Sequence, residues 1–443
     1  MSILIEDHLS DVVIPANLRI NDQVNRYREI CRVKGCARPY HHFAFGQSPF
    51  SPPPAIIDAL KDHASEHSYL PTAGLPKLRE SIADYYRQQF AISCEAGQIV
   101  VSPGSKEMIS MLLAVLQGSI IIPTPSWVSY LPQAKILKKE VISLRTTKES
   151  GYKLTPELLR HGLDHTHTKQ RVLILNHPNN PTGVVYIADE LADIARVCRK
   201  YDVVVISDEI YANTAFDREC FTSMMNVYPE KTIVTGGLSK DRSCGGYRLG
   251  VGIFPKEARE LLDDILKIAG STYSCVAAPI QYAALVAYSQ SNDVEQYVRD
   301  CAAVNALVGR KMAGRFSKIP GVKTTMPQGG FYLFVDFNEL RDNFLSLGFE
   351  TCADFCEDLI KVEHCALLPG DSLLLQKDDF AVRASFVDYD GGSILAAWRK
   401  GQPSTPEEEE SFIQNNCPLM VTGIDNIGRY LSQISQGERP KHA

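Results

Sequence analysis

Only two of the 443 residues are tryptophan, and no stretch approaches the roughly 18 consecutive apolar residues that a membrane-spanning helix needs, so no membrane partner is expected. An excess of positive charge is missing as well. The 46 lysines and arginines are outnumbered by 52 aspartates and glutamates, the net charge is -6, and no basic stripe occurs. This argues against nucleic acid as the main partner, because phosphate binding draws on clustered Lys and Arg. The 12 cysteines are scattered, and the close sets Cys31/Cys36 and Cys352/Cys356 have no matching Cys/His pair at zinc spacing. No metal is expected, and the thiols read as reduced and mostly buried. Met1–His8 has neither the basic region nor the apolar core of a leader, so the expectation is a soluble, cytoplasmic protein. Internal repeats and low-complexity linkers are absent from the sequence.

What is present suits two domains, since 443 residues with 44% hydrophobic content exceed one ordinary core. Residues 1–51 read as an N-terminal arm that joins the smaller domain, with a polar helix from Asp22 to Val33 ending near Gly35. Across 52–305, short apolar runs alternate with helical spacers. The strand signals are Ile99–Ser102, Ser119–Ile122, Arg171–Leu175, Val203–Ile206, Thr232–Thr235 and Leu249–Ile253. That alternation predicts an α/β fold: a large domain built on a mostly parallel, doubly wound sheet. Residues 306–443 read as a smaller α+β domain with an extended tail. Its strand signals are Phe331–Val335 and Phe380–Ser385, the acidic run Glu407–Glu410 suits a helix start, and Ile424–Ile434 is amphipathic.

The chemistry concentrates in four segments. Lys240 follows Leu238-Ser239, and Arg248 stands eight residues later within Gly246-Tyr247-Arg248-Leu249-Gly250. A lysine on a tight turn with an arginine among glycines downstream is what covalent capture of an aldehyde cofactor, and retention of its phosphate, requires. Upstream lie Asn176-His177-Pro178-Asn179-Asn180-Pro181-Thr182-Gly183 and the run Val203–Ile206, which closes in Ser207-Asp208-Glu209-Ile210-Tyr211. A β-branched run ending in Asp reads as a buried parallel strand delivering charge to the crevice where open α/β sheets bind ligands. The fourth segment, Gly104-Ser105-Lys106, opens a helical run directly after a strand, and the free N–H groups of such a turn attract an anion.

With these elements in this order, the chain from about Phe43 to about Asp388 resembles the class I and II aminotransferases, the fold-type I pyridoxal phosphate enzymes, and among them the bacterial-type aspartate and aromatic aminotransferases. The resemblance implies pyridoxal 5'-phosphate as cofactor and a ping-pong exchange of an amino group between an L-amino acid and a 2-oxo acid. Lys240 is then the Schiff-base lysine and proton carrier, with Ser239 beside it. Asp208 pairs with the pyridine nitrogen, and Asn180 and Tyr211 bind the phenolic oxygen. Gly104, Ser105, Lys106 and Arg248 form the phosphate end, and Trp127 stacks on the ring. Arg383, with Gly46 and Asn180, receives the substrate's α-carboxylate. Tyr69 matches a tyrosine that reaches the phosphate of a neighbouring subunit, which implies a homodimer. Where the family often has a serine three residues before the lysine, this chain has Gly237.

Lys106 has three readings: a phosphate partner, a contact for an acidic substrate side chain, or a solvated residue. Tyr247 and Tyr273 offer an aromatic pocket instead. Two further readings keep the cofactor: a lyase of the carbon–sulfur or aminocyclopropane-carboxylate-synthase kind, and a non-catalytic cofactor sensor.

Overall fold

The computed structural model describes residues 6–35, 38–166 and 168–440, so Cys36 and Met1–Ile5 lie outside it. The first long helix, α1 (Ala16–Lys34), begins six residues earlier than its polar pattern predicts. Ala16, Ile20 and Val24 form a stripe at four-residue spacing that packs on Phe334, Ile360 and Leu368, and this contact extends the helix upstream. Gly35 ends it in the left-handed conformation, φ 69°.

Seven strands build the large sheet: β1 (Ile99–Ser102), β2 (Ser119–Thr124), β3 (Val141–Arg145), β4 (Arg171–Asn176), β5 (Val204–Asp208), β6 (Thr232–Gly237) and β7 (Gly250–Ile253). Their order is β1-β7-β6-β5-β4-β2-β3. Every pairing is parallel except those made by β7, which runs antiparallel to both neighbours. Alternate side chains serve the two faces. Ile120, Ile122, Val172 and Ile174 pack with α2 (Ser105–Val115), while Ile121, Leu173 and Leu175 pack with Leu191 and Ile194 on the other side. Six of the seven strands match sequence signals, with Val203 and Leu249 falling one residue outside the strands they preceded. Strand β3 was not read from the sequence, although Val141, Ile142 and Leu144 are apolar; it is an edge strand in which only Leu144 is fully buried.

The second sheet joins β8 (Lys323–Thr324), β9 (Tyr332–Asp336), β10 (Leu368–Pro369) and β11 (Ala381–Ser385) in the order β10-β11-β9-β8, all antiparallel. The 305/306 boundary read from the pattern falls inside one helix, α3 (Asn292–Phe316). From Tyr297 onward its buried face belongs to the core around the second sheet, so the change of packing partner precedes residue 305. The tail folds back onto that same core. The acidic run forms the first turn of α4 (Pro406–Asn416), where Thr405 and Glu408 make a capping box. The final helix α5 (Pro418–Ser435) buries Ile424, Ile427, Tyr430 and Leu431 there. Among the described residues, no helix is long and apolar enough to cross a membrane.

Candidate active site

The carboxyl ends of β4, β5 and β6 converge on a crevice, as the topology of an open α/β sheet favours. Asp208 is the last residue of β5 and is buried. Its Oδ2 accepts the Tyr130 hydroxyl at 2.6 Å and its Oδ1 accepts Thr235 at 3.3 Å. Burial pushes the Asp208 carboxyl upward, opposed by Tyr130, the Ile210 N–H, Thr235 and the Lys240 charge. A cation brought against it from the crevice would reverse that balance. Asn176, at the end of β4, donates to the Asp208 carbonyl at 2.8 Å and accepts the Asn180 N–H at 2.6 Å, which locks the Asn-Pro turn beside the strand ends.

Lys240 stands on the loop that leaves β6. Gly237 has φ 151°, and a Cβ there would meet the Leu249 carbonyl oxygen at 2.6 Å, so the backbone itself excludes a serine. That position therefore offers no side-chain contact to a phosphate. Two residues after the lysine, Arg242 is buried between the rings of Tyr85 (4.7 Å) and Tyr288 (5.2 Å). It donates to Asp241 at 2.5 Å and to the Ala287 carbonyl at 3.0 Å, and Asn213 donates to Asp241 at 2.7 Å. This buried network anchors the turn that presents Lys240, whose Nζ donates to the Gly46 carbonyl at 3.1 Å.

At one end of the crevice, helix α2 opens at Gly104, whose φ of 88° suits glycine. Arg248 also adopts the left-handed conformation, φ 53°, which turns its side chain toward that helix start. A Cβ on Gly104 would lie 2.4 Å from Arg248 Nη2. Among the described residues the guanidinium donates only to the carbonyls of Gly245 (2.8 Å) and Pro103 (3.3 Å). An uncompensated guanidinium beside free helix N–H groups is the donor set a phosphate needs, so the residues fit the phosphate of pyridoxal phosphate.

The opposite end carries Arg383 on β11. Its Nη1 donates to Asn180 Oδ1 at 3.2 Å and its Nη2 to the Ala44 carbonyl at 2.5 Å, while Nε is buried without a partner. Burial lowers its pKa, opposed by the Tyr332 and Tyr211 phenols. No carboxylate of the described residues pairs with it. A buried cation in that condition is costly unless a ligand carboxylate supplies the missing charge.

Between these ends lies a cavity of about 500 Å³. Of the residues singled out by sequence, Gly46, Ser105, Lys106, Trp127, Asn180, Asp208, Tyr211, Ser239, Lys240, Arg248 and Arg383 line it together. Gly104 stands behind Arg248 rather than on the wall. Tyr69 is 88% exposed and away from this chain's cavity, and Tyr247 and Tyr273 do not line it. Tyr273 is instead engaged with the Val101 carbonyl at 3.4 Å. Trp127 meets Tyr130 edge-on at 5.1 Å, and Lys106 Nζ lies 5.1 Å from the Trp127 ring centre. Loss of solvation, then the Arg248 and Lys240 charges, lowers the Lys106 pKa. Sequence reasoning missed Tyr130, Tyr332, Asn176 and Asn17. Tyr130 falls three residues after Trp127, one helical step, which was a usable signal. Asn17 comes from α1, and nothing local marks it.

The described residues contain no group of three or more His, Cys, Asp or Glu side chains arranged to hold a metal. Residues 39–388 match the family model for aminotransferase class I and II. The chain is 31% identical over 333 residues to an aspartate aminotransferase of Geobacillus stearothermophilus, covering 73% of this chain and 82% of that protein. It is 31% identical over 361 residues to a bifunctional aspartate aminotransferase and glutamate/aspartate-prephenate aminotransferase of Petunia hybrida, covering 79% of this chain and 73% of that one. The solved structure of aspartate aminotransferase from Thermus thermophilus with maleate superposes with a TM-score of 0.77 at 21% identity, covering 97% of this chain and all of that one, which shows the shared fold. With the fold, the strand-end constellation and the family match in agreement, the chain belongs to the class I and II aminotransferases, enzymes that use pyridoxal phosphate.

Proposed function

We propose that this aminotransferase acts on dicarboxylic L-amino acids of the aspartate and glutamate type, with the matching 2-oxo acids as acceptors. The observation that carries the reading is a second cation. Beyond Arg383, which is suited to the α-carboxylate, the cavity holds Lys106, whose ammonium pairs with no carboxylate of the described residues. In this reading Arg383 presents a planar fork to the two α-carboxylate oxygens while Gly46 leaves room for them. Lys106 meets the side-chain carboxylate.

Pyridoxal phosphate, when bound, supplies an aldehyde and an electron sink for the substrate's α-carbon. Lys240 Nζ would hold the aldehyde, and its free amine would carry the proton at the substrate's Cα, base and acid in turn. Asp208 keeps its carboxylate against the ring nitrogen, supported by Tyr130. Asn180 and Tyr211 serve the phenolic oxygen, Trp127 covers the ring, and Ser105, Ser239, Gly104 and Arg248 serve the phosphate. Tyr69, exposed here, is assigned to the site of a second copy, so the working unit is a homodimer. A reducing compartment such as the cytoplasm suits a chain in which no disulfide joins any described cysteine.

The test is a panel of aspartate, glutamate and phenylalanine with the wild type and Lys106→Ala, followed by cofactor absorbance and by detection of the 2-oxo acid. Lys106→Ala is expected to lower kcat/KM for the dicarboxylic substrates roughly 10- to 100-fold, the usual worth of a charge-assisted contact, and to leave phenylalanine unchanged. Phenylalanine exceeding both dicarboxylic acids in the wild type overturns the substrate assignment. Free ammonia released from the amino acid, with no amino group passed to a 2-oxo acid acceptor, favours the lyase.

A further inference from the structure

Tyr332 opens β9, and its phenol lines the cavity beside Arg383 and Tyr211. Its hydroxyl lies 2.9 Å from that of Tyr211 and 3.4 Å from the Gly46 carbonyl, the oxygen that also accepts Lys240 Nζ. The guanidinium carbon of Arg383 stands 4.5 Å over its ring. Asn180 closes the circuit, accepting from Arg383 at 3.2 Å and donating to Tyr211 at 3.4 Å. Gly46 leaves the space that the hydroxyl fills, since a Cβ there would come within 2.0 Å of it. One side chain thus touches the carboxylate clamp, the phenolic-oxygen contact and the carbonyl that receives the lysine.

The direction of the proton between the two phenols decides what this arrangement does. Were Tyr211 to donate to Tyr332, it would have no proton left for a ligand oxygen. Tyr332 has two acceptors in reach, and the Tyr211 oxygen is the nearer by half an ångström. We propose that Tyr332 is a positioning residue that donates to Tyr211, so that Tyr211's own hydroxyl proton faces the cofactor's phenolic oxygen, and that its ring ties this contact to Arg383. The proposal rests on the cofactor reading above. The charged groups facing the pair are Asp208 at the end of β5, Lys240 after β6, with its Nζ 5.7 Å from the Tyr211 ring centre, and Arg383 on β11.

The sign of the effect follows from who holds the phenolic oxygen. A proton on Lys240 Nζ beside the bound cofactor's phenolic oxygen would share that oxygen's negative charge; without it, the oxygen would depend on donors such as Tyr211. A well-aimed donor therefore lowers the pH at which the proton leaves, and losing it raises that pH.

The experiment is a pH titration of the visible absorbance of the loaded enzyme for wild type, Tyr332→Phe, Tyr211→Phe and the double variant. Tyr332→Phe keeps the ring and is expected to raise the midpoint by roughly 0.4 to 1 unit, the size of one net hydrogen bond. In the Tyr211→Phe background it is expected to add nothing, which is the signature of action through Tyr211. An unchanged midpoint, or an equal shift in both backgrounds, overturns the proposal while leaving the cofactor assignment intact. A wild type that shows no cofactor band overturns the assignment and the proposal with it. Tyr332→Leu, which removes the ring from Arg383, is expected to raise KM for the amino acid roughly three- to thirtyfold with little change in kcat. An unchanged KM refutes the tie to Arg383.

Discussion

Replacing Glu209 by glutamine tests whether the segment that follows Asp208 at the end of β5 is held by a neutral carboxyl. Glu209 is buried next to Asp208, and its Oε1 accepts the hydroxyls of Ser207 (2.7 Å) and Ser223 (2.8 Å) and the Met224 N–H (3.1 Å), while Oε2 has no partner. Burial raises its pKa from 4.5 to about 7 despite those three donors. The folded protein therefore keeps this proton over a range where the unfolded chain has released it. Stability from this group is complete below about pH 4.5 and is lost progressively as pH rises to about 7, after which it is flat. A difference of about 2.5 units at about 1.4 kcal/mol per unit amounts to roughly 3 kcal/mol. Glutamine keeps the accepting oxygen and cannot ionise. It adds one N–H without a partner at a cost of about 1–3 kcal/mol, which does not depend on pH. Denaturant unfolding followed at pH 5, 6, 7 and 8 is the assay. The wild type is expected to lose roughly 2.5 kcal/mol more than Glu209→Gln across that series, the rest of the effect lying below pH 5. Parallel pH profiles for the two proteins would refute the reasoning and place an ionised Glu209 in the fold.

Tyr130→Phe removes the 2.6 Å donor from Asp208 while keeping the ring packed on Trp127. Hydrogen bonds to charged groups contribute about 1.5–3 kcal/mol, so kcat is expected to fall roughly 10- to 100-fold with little change in thermal stability; steady-state kinetics within twofold of wild type would show that Tyr130 only packs. A chain ending at Gly392 is expected to be insoluble or unfolded. It loses Phe412, Ile424, Ile427 and Leu431 from the core around the second sheet, each worth about 1.5–3 kcal/mol of burial against a typical net stability of about 5–15 kcal/mol. A cooperative melt for that truncated chain would show the tail to be dispensable.

Several features were legible in residue order because they depend on local chemistry. Short β-branched runs announced six of the seven large-sheet strands, since strands buried on both faces must be continuously apolar. That Lys240, Asp208 and Asn180 share one cavity was legible because each lies at or just beyond the end of a sheet strand, where open α/β sheets form their crevice. Edge strand β3 escaped because one face meets solvent and only Leu144 needs burial. Helix α1 was underestimated because its upstream stripe makes sense only against Phe334 and Leu368, more than 300 residues away in the chain.

Taken by itself, the sequence determined the fold class and the family, and it pointed to Lys240, Asp208, Arg248 and Arg383, which the fold brings to one cavity. Tertiary structure alone decided which side chains stand behind those four. Tyr130 reaches Asp208 across 78 residues of sequence, Tyr332 reaches Tyr211 across 121, and Arg383 reaches Asn180 across 203. It also decided why Gly237 cannot be serine and why Gly46 must lack a side chain, because the obstructing atoms belong to Leu249 and Tyr332. The physical reason is range. Backbone propensity and hydrophobic period act over a few residues and leave a trace in order, whereas hydrogen-bond geometry and steric exclusion depend on distance in space and leave none.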